Sequence, residues 1–179
     1  MLAFLDFEAS SLSKDSYPIE VGWVFEDGAA ETHLIRPAPD WTDWDPAAER
    51  IHGLSREILQ AQGEPVEAVG LRLLDRLQGH DLFVTAPSWD GKWLSVLLRA
   101  AGLPRHALRV QNADVAHAAA VIRALGSADR APEILAEARQ GLSDEPVRHR
   151  ALADAQQELR LWREVRRLAA AYASSSMSQ

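Results

Sequence analysis

Met1-Leu2-Ala3-Phe4-Leu5-Asp6-Phe7-Glu8-Ala9-Ser10 opens the chain as an apolar run that ends in two carboxylates. Side chains alternate across a strand, so residues two apart leave the same face, and Asp6 and Glu8 project together from the C-terminal end of this segment. A strand apolar on both faces belongs in the middle of a parallel or mixed sheet, where ligands collect at the carboxyl ends of the strands. The acid pair is therefore a candidate metal site at a functional edge.

Outward from this strand, the bulk composition sets bounds. A chain of 179 residues with 47% hydrophobic and 25% charged residues has ample material for one globular core. One domain over residues 1–172 is expected, with the Ser-rich end, 173–179, as a disordered tail. There is no cysteine, which excludes disulfides and zinc-thiolate sites and suits a reducing compartment. The first residues lack a basic leader and no apolar run approaches the roughly 20 residues that span a bilayer. A cytoplasmic protein with no membrane partner is the expectation. The formal charge of -7 argues against sequence-independent binding to long nucleic acid through a broad basic surface. Short anionic substrates remain compatible if metal ions supply positive charge.

Residues 9–17 read as a polar loop. Pro18 starts a second strand, Ile19 to Phe25, and Asp27-Gly28 signals a turn into a third at about Glu31 to Arg36. These three strands predict an antiparallel meander. The stretch from Pro37 to Pro46, with Trp41 and Trp44, reads as a packed irregular connection. Two short helical pieces over 47–63 flank His52-Gly53-Leu54-Ser55, with Ser55 as an N-cap. A helix follows from Pro65 to Leu77. Then come a buried strand at Leu82 to Thr85, a helix from Gly91 to Ala101, a strand at Leu108 to Gln111 and helices at Val115 to Leu125 and Pro132 to Ala138. The longest helix spans Arg148 to about Tyr172. A meander followed by crossover units predicts an α/β fold with a mixed sheet of about five strands flanked by helices.

Two more acids sit where this order returns them to the first pair. Asp90 follows the fourth strand by a short turn, again at a carboxyl end, and Asp154 lies in the first turns of the last helix, five residues after His149. Four converging carboxylates form the all-oxygen environment that hard divalent cations such as magnesium prefer.

With these residues in view, the chain resembles the DEDDh group of 3'-5' exonucleases, of the ribonuclease H-like superfold, which includes ribonuclease T, oligoribonuclease and the proofreading subunit of the replicative bacterial polymerase. Asp6-Phe7-Glu8 resembles the first motif, Asp-x-Glu, and Ile19-Glu20-Val21-Gly22 the Ile-Glu-Ile-Gly that commonly opens the second strand. Ile51-His52-Gly53-Leu54-Ser55 is similar to an Ile-His-Gly-Ile-Thr element. Trp89-Asp90 with Trp93-Leu94 resembles the second motif, and His149 with Asp154 fits the third, His-x4-Asp. Each piece is common by chance in a chain with 26 acids, whereas the ordered combination over residues 1–165 is specific. One departure is that Ala86-Pro87-Ser88 stands where the family often has His-Asn-Ala, which removes polar contacts near the substrate.

The resemblance implies a metal-dependent hydrolysis of phosphodiester bonds from the 3' end of RNA or DNA, with release of nucleoside 5'-monophosphates. Asp6, Glu8, Asp90 and Asp154 would hold two divalent ions, Mg2+ or Mn2+, about 3.5 to 4 Å apart. His149 would be the general base towards water, entering from a loop that Pro146 marks. Backbone around Ala9, Ser10 and Ser11 would meet the terminal nucleotide, and Leu12 would wedge beside its base. Trp89 and Trp93 flank Asp90 and are candidate base-stacking residues. Arg148 and Arg150, beside the histidine, are candidate phosphate contacts. The resemblance, with the acidic charge, favours RNA or short oligoribonucleotides over DNA, and the resemblance suggests a homodimer.

Each residue has a plainer reading beside the sharp one. Asp6 and Glu8 alone suit a solvated strand end, Asp90 a helix N-cap, and Asp154 an acid favoured by the helix dipole. For His52 the structural reading, a turn beside a cap, prevails. Two rival classes follow: a non-catalytic nucleic-acid-binding or regulatory protein on the same fold, and a structural domain that binds no divalent metal.

Overall fold

The first strand, β1 (Leu2–Ala9), is the middle member of a five-stranded sheet. In this computed structural model, which describes residues 1–142 and 149–176, it pairs antiparallel with β2 (Pro18–Phe25) and parallel with β4 (Asp81–Val84). β3 (Ala30–Leu34) closes one edge against β2, and β5 (Val110–Asn112) closes the other, parallel to β4. The order β3-β2-β1-β4-β5 is the expected meander followed by parallel crossovers, a mixed α/β sheet flanked by helices.

Alternation along β1 divides the core in two. Ala3, Leu5, Phe7 and Ala9 join Val21, Trp23 and Phe25 of β2 on one face. That face packs against α3 (Val66–Leu77) and α4 (Pro87–Ala100) through Val69, Leu73, Leu94 and Leu97. Phe4 points the other way, with Val24 and Phe83, onto α5 (Ala113–Leu125) and α7 (Ala151–Ser176) through Ala116, Ala155, Leu159 and Trp162. Asp6 and Glu8 share the parity of Phe4, so they continue the α7-facing row. α6 (Ala131–Gly141) rests on α5 and α7 through Ile134, Val121 and Val165.

Two short helices cover the opposite flank. α1 (Pro46–His52) is capped by Asp45, whose carboxylate accepts from the Ala47 amide, and Gly53 ends it in the left-handed conformation, φ 72°. α2 (Arg56–Gln62) starts at Ser55, whose hydroxyl accepts from the Ile58 amide, as the sequence predicts.

Two boundaries move in ways that bear on the site or the chain end. α4 begins at Pro87 rather than Gly91, because proline at the first helical position needs no amide partner and has its φ already set. Asp90 therefore lies inside the first turn of α4 rather than before it. α7 continues through Ser176, beyond the expected end near Tyr172, and the hydroxyls of Ser174 and Ser175 bond back to the carbonyls of Ala170 and Ala171. The expected disordered tail is thus helical as far as it is described, and residues 177–179 fall outside the described chain. No helix among the described residues is long and apolar enough to cross a membrane.

Candidate active site

The acid pair on β1 meets the N-terminal turns of α7 because β2 lets the helix approach closely. Gly22, opposite Asp6 in the β1–β2 register, lies against the backbone of Ala151 and Leu152, and a Cβ there would fall onto those atoms. Two residues earlier on the same strand, Glu20 is 1% exposed. Its carboxylate accepts the Ala151 amide at 3.0 Å and the Arg150 guanidinium at 2.6 to 3.1 Å. Glu20 thus satisfies one of the orphan donors of the α7 N-terminus and fixes where the helix starts. Asp154, one turn into α7, is carried to Asp6 and Glu8, and one oxygen of each of the three carboxylates lies within 4.8 Å of the others.

Asp90 arrives from the other face of the sheet, over its carboxyl edge. It is 2% exposed and its carboxylate accepts the Ala86 amide at 3.2 Å and the amide of Phe7, the residue between Asp6 and Glu8. Asp90 is thereby hung on the strand that carries the first pair.

The electrostatics follow from this crowding. Burial, then the charges of Asp90, Glu8 and Asp154, raise the Asp6 carboxyl well above the ordinary carboxylate range. Burial and Asp154 push Glu8 up to about 8, with Arg150 pulling the other way. Burial raises Asp90 to about 7 against the two amides that favour its charged form. Asp154 is raised by burial and held back by the charge of His149. Such a set lacks positive charge, and its donors are all oxygen. That chemistry fits hard divalent cations, with Asp6, Glu8 and Asp154 grouped to hold one and Asp90 at their edge.

His149 lies outside the helix, two residues before α7, and is exposed. Arg148 and Pro146 lie outside the described residues. Arg150 is ion-paired with Glu20, with its side chain 47% exposed.

The loop after β1 is built around a residue that sequence reading missed. Asp43 accepts hydroxyls from Ser10 (3.0 Å), Ser11 (2.5 Å) and Ser13 (2.8 Å). Burial opposes its charge, but these hydroxyls together hold Asp43 below its ordinary range. Lys92 of α4 donates to the Ser13 carbonyl at 2.7 Å and the Ser16 hydroxyl at 2.8 Å, and sits over the Trp89 ring at 5.1 Å. With Ala9, Ser10 and Ser11 buried and the loop pinned from two sides, Leu12 stands out 70% exposed at its tip. A pinned loop ending in a bare leucine has the shape of a wedge.

Of the two candidate stacking residues, Trp93 is the more enclosed. It is 6% exposed, stacked on Trp89 at 5.6 Å, and its indole N–H donates to Ser16. A ring so enclosed anchors the loop and has no free face for a base, whereas Trp89 is half-buried. His52 is buried, its Nδ1 accepting the Leu54 amide, which agrees with the turn reading. The signal for Glu20 was present in the quoted Ile-Glu-Val-Gly stretch. A lone aspartate in a Trp-rich connection gave no signal for Asp43.

No protein-family model matches the chain, and no curated protein matches it. Solved structures do. Exonuclease I of E. coli, in a zinc-bound complex with single-stranded DNA, superposes with a TM-score of 0.68 at 18% identity over 93% of this chain and 40% of that one. Exonuclease I from Methylocaldum szegediense gives 0.68 at 17% identity over 96% and 42%. The E. coli enzyme in complex with a dT13 oligonucleotide gives 0.63 at 18% over 88% and 39%. The chain spans about two fifths of the length of these neighbours, and the likeness establishes a shared fold.

Proposed function

We propose that the chain is a metal-dependent 3'-5' exonuclease that removes nucleoside 5'-monophosphates from single-stranded 3' ends. The observation that carries this reading is the convergence of Asp6 and Glu8 with Asp154, from opposite ends of the sequence, at the sheet edge where Asp90 also hangs. A solvated strand end would not gather buried and half-buried acids whose carboxyls are all raised above the ordinary range.

Bound divalent cations would supply the charge that activates a water and stabilises the departing 3'-oxygen. Asp6, Glu8, Asp90 and Asp154 are the residues proposed to hold them, two ions by the resemblance. His149 takes the proton from the attacking water as the new P–O bond forms, the bond from phosphorus to the 3'-oxygen breaks, and that oxygen leaves as a hydroxyl after protonation. The loop held by Asp43 presents the backbone of Ala9, Ser10 and Ser11 to the terminal nucleotide, with Leu12 beside its base.

DNA is the first substrate to test. The E. coli neighbours above carry single-stranded DNA or a dT13 oligonucleotide, while the preference for RNA rests on the motif resemblance and the acidic surface; the ribonuclease T or oligoribonuclease subtype and the homodimer rest on the resemblance. A single exonuclease domain over residues 1–172 belongs to the same reading, as does a cytoplasmic location.

The test is to incubate 5'-labelled single-stranded DNA and RNA with the protein in Mg2+ or Mn2+, with EDTA and His149→Ala as controls. Stepwise shortening from the 3' end that EDTA abolishes supports the reading. Metal binding without shortening of either strand places the non-catalytic nucleic-acid-binding protein ahead.

A further inference from the structure

The chain is acidic overall, yet its charge is segregated. Between Asp81 and Asp114 it carries Lys92, Arg99, Arg105, His106 and Arg109 against one acid, Asp90, which faces the candidate metal site. All five basic residues line one groove of about 670 Å3, between the outer face of α4 and the segment that leads into β5. No carboxylate lines it. Arg99, Arg105 and Arg109 are exposed, and none is ion-paired with a carboxylate among the described residues; Arg99 donates to the Ser95 carbonyl at 3.3 Å. Unpaired guanidiniums gathered in a groove on an acidic protein set up a local field that attracts an anion.

The position of the groove says which anion. It opens at Ser88, in the first turn of α4 and two residues from Asp90. It then follows the helix to Arg99, eleven residues and about 16 Å farther on, the length of four or five stacked nucleotides at about 3.4 Å each. The lining contains no tryptophan, tyrosine or phenylalanine on which a base would stack. Guanidiniums without an aromatic platform hold backbone phosphates rather than bases.

We propose that this groove binds the phosphodiester backbone of single-stranded nucleic acid a few nucleotides from its 3' end, with Arg99, Arg105 and Arg109 as the phosphate ligands. The proposal rests on the exonuclease reading for the identity of the strand. It makes the protein prefer strands long enough to reach from the acid cluster to Arg99.

The test compares wild type with the triple variant Arg99→Ala/Arg105→Ala/Arg109→Ala, confirmed as folded by circular dichroism. Binding of a fluorescent twelve-nucleotide oligothymidylate is followed by anisotropy in EDTA over a salt series. The expected result is a loss of about 10- to 100-fold in affinity and a salt slope shallower by about 2, since each phosphate contact on a single strand contributes about 0.7. The corresponding triple Arg→Lys variant, which keeps the charge, should recover most of the affinity. In hydrolysis, the ratio of kcat/KM for the twelve-mer to that for a dinucleotide should fall about tenfold. An unchanged affinity and slope in the alanine variant overturn the groove while leaving the nuclease intact if the twelve-mer is still shortened. If wild type shortens nothing but its salt-dependent binding disappears in the variant, the groove stands and the nuclease reading fails. An oligoglutamate peptide of equal charge that binds as tightly as the oligothymidylate also overturns the proposal.

Discussion

Arg150 reaches back across 130 residues of sequence to Glu20, Nη2 to Oε1 2.6 Å, and the neighbouring Ala151 amide occupies the second carboxylate oxygen. Removing the arginine strands a buried negative charge beside the acid cluster. Arg150→Ala should cost about 1 to 3 kcal/mol, below the loss for a fully buried pair because the arginine side chain is half-exposed. Glu20→Gln, which still accepts the Ala151 amide, should cost less. Denaturant titration of both variants and of the double mutant measures the coupling, and additive losses would refute it.

Asp6 faces the charges of Asp90, Glu8 and Asp154 together. Asp6→Asn should abolish hydrolysis and divalent-metal binding, and at the same time raise the stability of the metal-free protein by removing a charge its neighbours repel. Calorimetry with and without metal, beside the nuclease assay, tests both halves. An active Asp6→Asn protein would contradict the assigned role.

The pH dependence of stability has a definite sign. Asp6, Glu8 and Asp90 hold protons in the folded protein that the unfolded chain releases above about pH 4. Stability of the metal-free protein should therefore decline as pH rises from about 5 through the raised pKa of Glu8, about 8. Divalent cations compete with those protons, so Mg2+ or Mn2+ should raise the Tm more at pH 8.5 than at pH 5.5. Thermal melts at the two pH values, with EDTA and with metal, read out both effects; a metal-free Tm that climbs over this range would be the contrary result.

Gly22 is the contact that admits α7 to the sheet. Gly22→Ala should displace the Ala151–Leu152 backbone, cost about 1 to 3 kcal/mol and weaken metal binding, because Asp154 moves with the helix. The same substitution at Gly141, where a Cβ meets nothing within 4 Å, is the control. Equal metal affinity in the two variants would show that Asp154 does not depend on this approach.

Asp43 touches three serine hydroxyls and none of the clustered acids. Asp43→Ala should raise KM for oligonucleotides with little change in kcat, since it loosens the loop below Leu12 and leaves the acids in place. A fall in kcat at constant KM would assign Asp43 to the chemistry instead.

The sheet was legible because its signals are local. Period-two apolarity in β1 and β2, the Asp27-Gly28 turn and the Ser55 cap each lie within a few residues of what they specify. The four acids were legible through spacing and order, since strand ends and helix starts bring carboxylates to one edge whatever the intervening loops do. The partners of Arg150 and Trp93, Glu20 and Ser16, were not legible because they are separated from them by 130 and 77 residues. A hydrogen-bond partner so remote leaves no periodicity. Asp43 was missed for the same reason, as was the basic groove, whose residues come from a helix face and a loop that the sequence shows only as scattered arginines.

The meeting of β1 with the start of α7 also has a consequence for synthesis. Residues 6 and 8 leave the ribosome well before residue 154, which follows all five strands of the sheet. A nascent chain lacks the last of the proposed metal-holding acids until α7 emerges and docks on Gly22, and contacts of such long sequence separation form late in folding. The partial protein, released by stalling or proteolysis, would carry the strand acids without the geometry to bind metal. An arrangement that draws its acids from residues this far apart in sequence keeps the proposed metal site unassembled until α7 has been made.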